Sequence, residues 1–148
     1  MRTAYKVLAW LVLIEVIVQS AAIAFGVFGE TKFIDGGGVV DKALVESQTA
    51  DFEGVIGYPI HVLNGTFLIP AIGLVLLIVA FFAKVERGVV FAAVTFGLIV
   101  LQVVLGTFGH GLPLLGMLHG LNALLIFGAA YAAVRAASAV PADRTITV

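Results

Sequence analysis

Residues 57–83 read GYPIHVLNGTFLIPAIGLVLLIVAFFA, and this apolar run decides the fold class. It is long enough to cross a bilayer as a helix, which takes about 20 residues at ~1.5 Å each. Pro59 lies in its first turn, where a helix tolerates proline. Three other stretches have a similar character, at residues 7–28, 88–109 and 112–134. The sequence therefore predicts an all-α protein, an integral membrane four-helix bundle that forms a single domain.

The composition of the chain favours lipid as its solvent. Of the 148 residues, 61% are hydrophobic and 11% are charged, whereas soluble domains are about half apolar and a quarter charged. The net charge of −1 gives no reason to expect nucleic acid as a partner. The absence of cysteine excludes disulfides, thiolate metal sites and iron–sulfur clusters. Redox work by this chain would therefore need a bound cofactor.

The charges between the spans predict the orientation. The basic residues outside the loop of residues 29–56 all fall on one side of the predicted membrane: Arg2, Lys6, Lys84, Arg87, Arg135 and Arg144. The loop itself carries six acidic residues and two lysines. By the positive-inside rule, both termini are cytoplasmic and residues 29–56 are outside.

The N-terminal span has a competing interpretation as a secretory signal peptide. Arg2 and Lys6 precede the apolar run, and Ala22-Ile23-Ala24 resembles a cleavage site. The run is longer than a typical signal core and contains Glu15 and Gln19, which favours a retained span.

The outer loop, residues 29–56, has its own local signals. Gly36-Gly37-Gly38 breaks any helix that enters the loop. Residues 39–52 then predict a short amphipathic helix at the outer membrane interface.

An internal repeat relates the two halves of the chain. Residues 61–71 read HVLNGTFLIPA and residues 119–129 read HGLNALLIFGA, so that His, Leu, Asn and the final Ala coincide. Gln19 and Gln102 are each followed, six and seven residues later, by Phe-Gly. The pattern predicts two repeated transmembrane helix hairpins, related by a twofold axis along the membrane normal. That symmetry places His61 and His119 at one depth, facing each other.

Two facing histidines within a membrane predict a cofactor site. An ionisable residue in a span is a functional candidate, although a neutral histidine can also bridge two helices by a hydrogen bond. A zinc or copper site takes three or four ligands, and only His110 offers a third imidazole. A haem with two imidazole ligands needs no more than two. We therefore expect haem b, with His61 and His119 as the axial ligands of its iron.

Small residues flank both histidines at a distance of about one helical turn. They are Gly57 and Gly65 around His61, and Gly116 and Ala123 around His119. Such residues either make room for the macrocycle or allow close helix packing.

Polar residues surround the predicted site. The amides of the spans are Gln19, Asn64, Gln102 and Asn122. We expect them to contact one another or to bond the second ring nitrogen of the histidines. Their alternative role is structural, as hydrogen bonds that hold neighbouring helices together. Glu15, on the same helix face as Gln19, is a candidate for a proton path or for a neutral acid bonded to a neighbour. His110, in the outer turn, is either a contact for haem propionates or an ordinary loop residue.

The chain resembles one half of a haem A synthase. Residues 101–106, LQVVLG, followed by residues 118–121, LHGL, are similar to the third and fourth helices of that family, and His61 takes the place of its helix-two histidine. The family consists of eight-helix proteins made of two four-helix halves. The resemblance implies a haem-binding protein of a bacterial-type plasma membrane. Where the family commonly has a glutamate before and an arginine after that histidine, this chain has Tyr58 and Val62, so oxidation of haem O is not implied.

Three functions are open at this point. The first is a b-type haem protein that transfers electrons near the outer face, within a larger respiratory or quinol-linked membrane complex. The second is a half-size oxidoreductase of the haem A synthase type that acts on haem O as a homodimer. The third is a non-haem structural or metal-binding subunit that uses His61, His110 and His119. The lipid bilayer is a partner in all three.

Overall fold

The computed structural model describes residues 1–139, which form helices and no strand. The helices are α1 (Arg2–Asp35), α2 (Lys42–Ser47), α3 (Gly57–Leu63), α4 (Ile69–Ala80), α5 (Gly88–Gly109) and α6 (Pro113–Ser138). A single π-helical turn, Asn64–Leu68, joins α3 to α4, so that Gly57–Ala80 runs as one helix. This helix and α1, α5 and α6 are the four that are long and apolar enough to cross a membrane.

The four long helices differ from the predicted spans at their ends. Helix α1 has 34 residues and is therefore about 50 Å long, well beyond the ~30 Å of a bilayer core. It continues past residue 28 and ends at Asp35, immediately before the predicted glycine break. The second long helix stops at Ala80, three residues earlier than expected, and α6 continues to Ser138.

The predicted amphipathic helix over residues 39–52 is wrong in length. Only Lys42–Ser47 is helical, with the Asp41 side chain accepting a hydrogen bond from the backbone N–H of Leu44. Gln48 ends the helix in the left-handed conformation, at φ 55°. None of its residues is buried, and a helix this short needs packing to extend.

The four long helices form a ring in which each packs against two neighbours over at least part of its length. Helix α1 packs against α6 on one side and against α3 and α4 on the other, while α5 packs between α4 and α6. The Tyr5 hydroxyl donates to the carbonyl of Gly88 at 2.9 Å, and the Arg2 guanidinium donates to the carbonyl of Ala137 at 2.9 Å. These contacts bring the N-terminus, the turn after α4 and the end of α6 together at what we call the basic end.

The basic end holds the basic residues that predicted the orientation and that lie in the described range. They are Arg2, Lys6, Lys84, Arg87 and Arg135; Arg144 lies outside the described residues. The opposite end, which we call the loop end, carries residues 29–56 and the turn after α5.

The hydrophobic core lies towards the basic end. Tyr5, Leu13, Leu76 and Ile99 are its largest fully buried side chains. Alanines of all four long helices pack between them: Ala9, Ala80, Ala92, Ala130, Ala133 and Ala137. Because alanine has a small side chain, the helices approach each other closely here.

At the loop end, α1 packs against the chain that leads into α3 almost backbone to backbone. A Cβ atom on Gly29 would lie 1.7 Å from the carbonyl oxygen of Glu53, and one on Gly57 would lie 2.1 Å from that of Ala22. The outer surface adds an ion pair between Lys32 and Glu53, which lowers the pKa of the Glu53 carboxyl. Of the two roles expected for Gly57, the structure therefore gives it close helix packing.

Candidate cofactor-binding site

A cavity of about 510 Å³ lies in the loop-end half of the bundle. Its size falls within the range of about 300–1,000 Å³ that is typical of ligand sites. All four long helices line it, and most of the predicted site residues are among its walls: Gln19, His61, Gly65, Gln102, His110, Gly116, His119 and Ala123. The structure thus brings residues that are up to 104 positions apart around one space.

The two histidines face each other across this cavity. His61 belongs to α3 and His119 to α6, which lie diagonally opposite in the ring. Their ring centroids are 6.0 Å apart, and the ring planes make an angle of 63°. Two imidazoles bound to one metal along a straight axis would have centres about 6 Å apart, given metal–nitrogen bonds of about 2 Å. The observed separation therefore suits a shared axial metal as well as a direct edge contact between rings.

Each histidine is oriented by a backbone carbonyl of the preceding long helix. The Nδ1 of His61 lies 3.2 Å from the carbonyl oxygen of Gln19, and the Nδ1 of His119 lies 3.0 Å from that of Gln102. A carbonyl only accepts hydrogen bonds, so Nδ1 carries the proton in both rings. In a neutral imidazole this leaves Nε2 with a free lone pair, which is the arrangement of a metal-ligating histidine. The sequence predicts that the amide side chains either contact one another or bond these ring nitrogens; the structure shows that the backbone carbonyls of Gln19 and Gln102, rather than their side chains, bond the rings.

The amide contacts differ between the two hairpins. Asn122, 3% exposed, donates to the side-chain oxygen of Gln102 at 2.7 Å and to the carbonyl of Leu98 at 2.8 Å. No hydrogen bond joins Asn64 to Gln19. Asn64 instead donates to a carboxylate oxygen of Glu15 at 3.4 Å.

A π-helical turn lies at the point where the two hairpins differ. Asn64 begins the turn, whereas the corresponding residues of α6 stay regularly helical. The extra residue in a π-helical turn rotates the side chains that follow it. Neither asparagine lines the cavity, so both act beside it rather than in its wall.

Two glycines allow the close approach of side chains around the cavity: Gly106 contacts His119, and Gly65 contacts Gln19. A Cβ on Gly106 would lie 3.0 Å from Cε1 and 3.1 Å from Nδ1 of His119, so a larger residue would push this ring away from α5 by a few tenths of an ångström. A Cβ on Gly65 would lie 3.3 Å from the side-chain oxygen of Gln19. Sequence reasoning missed Gly106 as a site residue, although it is a small residue one turn beyond Gln102.

The rim of the cavity at the loop end is polar. His110 is exposed and lines the cavity, as expected for a residue of the outer turn. Tyr58 also lines it and donates a hydrogen bond from its hydroxyl to the carboxylate of Glu30. Sequence reasoning missed this pair because it placed Glu30 in a loop rather than in the extension of α1.

Residues 1–139 offer no set of ligands for a bare metal ion. No group of three or more His, Cys, Asp or Glu side chains there is close enough to hold one. His110 lines the same cavity as the two facing histidines without joining them in such a group. This disfavours the metal-binding subunit with three imidazole ligands.

Comparison of the chain with protein-family models, with curated proteins and with solved structures gives no match. The likeness to haem A synthases therefore rests on the residues quoted above. Residues 1–139 define the class of protein: a helical bundle with four helices long and apolar enough to cross a membrane and a cavity between two facing histidines.

Proposed function

We propose that this protein is an integral membrane protein that holds one haem b between His61 and His119 and carries electrons near the outer face of a bacterial-type plasma membrane. The observation that carries the proposal is the matched pair of hydrogen bonds from Nδ1 to a backbone carbonyl. These bonds leave two Nε2 atoms free on opposite walls of one cavity. An iron with two open axial positions is the ligand that such a pair suits.

The surface of the bundle supports membrane insertion. Large apolar side chains are exposed on every long helix, for example Ile17 on α1, Phe67 on the second, Val90 on α5 and Leu124 on α6. Soluble monomers rarely expose contiguous apolar surface on this scale. With the basic end in the cytoplasm, the cavity lies in the outer half of the bilayer.

The symmetry of the contacts supports the repeat. Each histidine bonds the carbonyl of a glutamine in the preceding long helix, and these are the residues that the sequence repeat pairs. We propose that the bundle arose from two helix hairpins, with the π-helical turn as a later departure in the first. Superposing α1 and α3 on α5 and α6 should bring His61 onto His119.

The residues of the cavity fit a flat tetrapyrrole. Gly65 and Ala123 follow the histidines by one turn on two opposite walls, and Gly106 adds space on a third. Val16, Ile69 and Ile126 give apolar walls that keep water from the ligand. Bound haem would supply a one-electron Fe(II)/Fe(III) couple, which no side chain of this cysteine-free chain offers.

The test is a reduced-minus-oxidised absorption spectrum of the purified protein. We expect the narrow bands of a six-coordinate, low-spin b-type haem. His61→Ala or His119→Ala should abolish or severely weaken haem retention, because each variant removes one of the two proposed iron ligands, which come from different helices. Each should also lower the thermal stability, since a ligand that binds only the folded state stabilises it by mass action.

His110→Ala is the matched control, because His110 lines the same cavity without facing the other two histidines. It should leave the low-spin spectrum unchanged. Retention of the same haem by a His61→Ala/His119→Ala double variant would refute the proposal. Extraction and chromatography of the haem after co-expression with a source of haem O would identify the alternative enzyme, a half-size haem A synthase, by its product. The same purification would show whether a homodimer or a larger quinol-linked complex forms.

A further inference from the structure

The cavity wall is closed on three sides of the helix ring and open on the fourth. Helix α1 packs on α3 and α6, and α6 packs on α5. Packing between the second long helix and α5 runs through α4, where a Cβ on Gly73 would lie 2.7 Å from Cδ1 of Ile99. Towards the loop end, no comparable packing joins α3 or the π-helical turn to α5.

Residues on both sides of this gap line the cavity and are nevertheless exposed. Val62 and Thr66 do so on the second long helix, and Thr107 does so on α5. A residue that lines the interior of a closed bundle is shielded from outside. Because α3 and α5 also lack the packing that closes the other three sides, this exposure indicates that the cavity reaches the lateral surface of the bundle between α3 and α5, beside His61.

The two helices on either side of the opening carry exposed apolar side chains. Leu63 and Phe67 are exposed on the second long helix, and Val104 and Phe108 are exposed on α5. In a membrane-embedded bundle, such side chains face lipid chains rather than water. The polar rim with His110 lies instead at the loop end, next to the outer water phase.

We infer that the site exchanges its ligand with the bilayer through the opening between α3 and α5, so that the ligand is a flat, membrane-dissolved tetrapyrrole. The inference rests on the proposed haem site and adds the route and the phase from which haem arrives. The residues that control this route are Val62, Thr66 and Thr107, none of which is a proposed iron ligand.

The test uses the absence of cysteine in this chain, which makes a single introduced thiol the only reactive one. Holoprotein carrying Thr66→Cys or Thr107→Cys is placed in liposomes and reacted with N-(1-pyrenyl)maleimide after haem has bound. Haem loss to apomyoglobin is then followed by absorbance. The bulky label should close the opening and slow haem loss by roughly tenfold or more.

Two matched variants serve as controls. Leu124→Cys carries the label on the lipid-exposed face of α6 beside Ala123 but away from the cavity, and it should leave the rate unchanged. His110→Cys carries it at the polar rim and tests the alternative route to the outer water phase; the label there should slow haem loss less than it does at Thr66 or Thr107. Slowing only in labelled His110→Cys would mean exchange with the outer water phase and would overturn the inference.

An unchanged or faster loss of haem from labelled Thr66→Cys and Thr107→Cys would overturn it as well, as would equal slowing in all four variants. Failure of the underlying proposal is distinguishable. In that case the unlabelled protein carries no haem ligated by His61 and His119, and its spectrum shows this before any label is added.

Discussion

Replacing Gly57 by alanine should be among the most damaging additions of one methyl group near the site. The new Cβ would lie 2.1 Å from the carbonyl oxygen of Ala22 and 2.8 Å from the backbone nitrogen of Gly26. Both are backbone atoms of α1, so no side-chain rotation can relieve the overlap. The two helices would have to separate by about 1 Å, and we expect a loss of about 3 kcal/mol in the free energy of unfolding, the upper part of the range for overpacking.

The separation of α1 and α3 should also disturb the candidate cofactor site. His61 lies one turn after Gly57 and its Nδ1 is 3.2 Å from the Gln19 carbonyl on α1. Moving α3 away from α1 would break this hydrogen bond and free the ring to rotate. We therefore expect weaker haem retention together with lower stability.

Gly97→Ala on α5 is the control, because a Cβ at Gly97 meets no heavy atom within 4 Å. Alanine favours helix over glycine by up to about 1 kcal/mol, so this variant should be unchanged or slightly more stable. The measurement is unfolding in detergent micelles, followed by circular dichroism with bound haem recorded in parallel. If Gly57→Ala stays within about 0.5 kcal/mol of the native protein, the size of an ordinary surface substitution, then the close packing of α1 and α3 is refuted.

Two further predictions concern α5 and α6, and the second is compared with a variant in the π-helical turn. Gly106→Ala should keep haem bound but shift its absorption bands or its reduction potential, because the Cβ, 3.0 Å from Cε1, forces the His119 ring to move; a spectrum equal to that of Gly97→Ala would contradict this. Asn122→Leu should cost about 1–3 kcal/mol in unfolding experiments, since it removes the two hydrogen bonds that the buried Asn122 donates, to the Leu98 carbonyl and to the Gln102 side chain. Asn64→Leu should cost less, because Asn64 makes one long hydrogen bond of 3.4 Å; an equal or larger loss would argue against the difference between the hairpins.

The sequence predicts the four long helices because each is a long apolar run, and hydropathy does not depend on tertiary contacts. It does not predict the extension of α1 to Asp35, since residues 29–35 are rich in charge. This extension is held by tertiary contacts of Glu30 with Tyr58 and of Lys32 with Glu53. Such contacts depend on where the following loop folds, which local sequence does not contain.

The facing histidines are predicted from the repeat, because the paired polar residues are rare within apolar spans. The π-helical turn is not, although Pro70 is a local cause for it. Proline has no N–H to donate to the carbonyl of Thr66, and its ring collides with that carbonyl in a regular helix. Widening the preceding turn relieves this, and Ile69 then bonds the carbonyl of Asn64 five residues back. The Gly106–His119 contact was missed because it depends on the relative rotation of α5 and α6.

The contacts of the histidines divide the control of the site between the two hairpins. His61 is oriented by α1 and His119 by α5, each within its own hairpin. The distance between the two rings is therefore set by how the hairpins dock, and this docking is made mainly towards the basic end by the core of α1, α4, α5 and α6. A bundle that is tightly packed at one end and hollow at the other keeps the two histidines at a fixed separation without filling the space between them. The alanine-rich core at the basic end thus belongs to the design of the site as much as the histidines do.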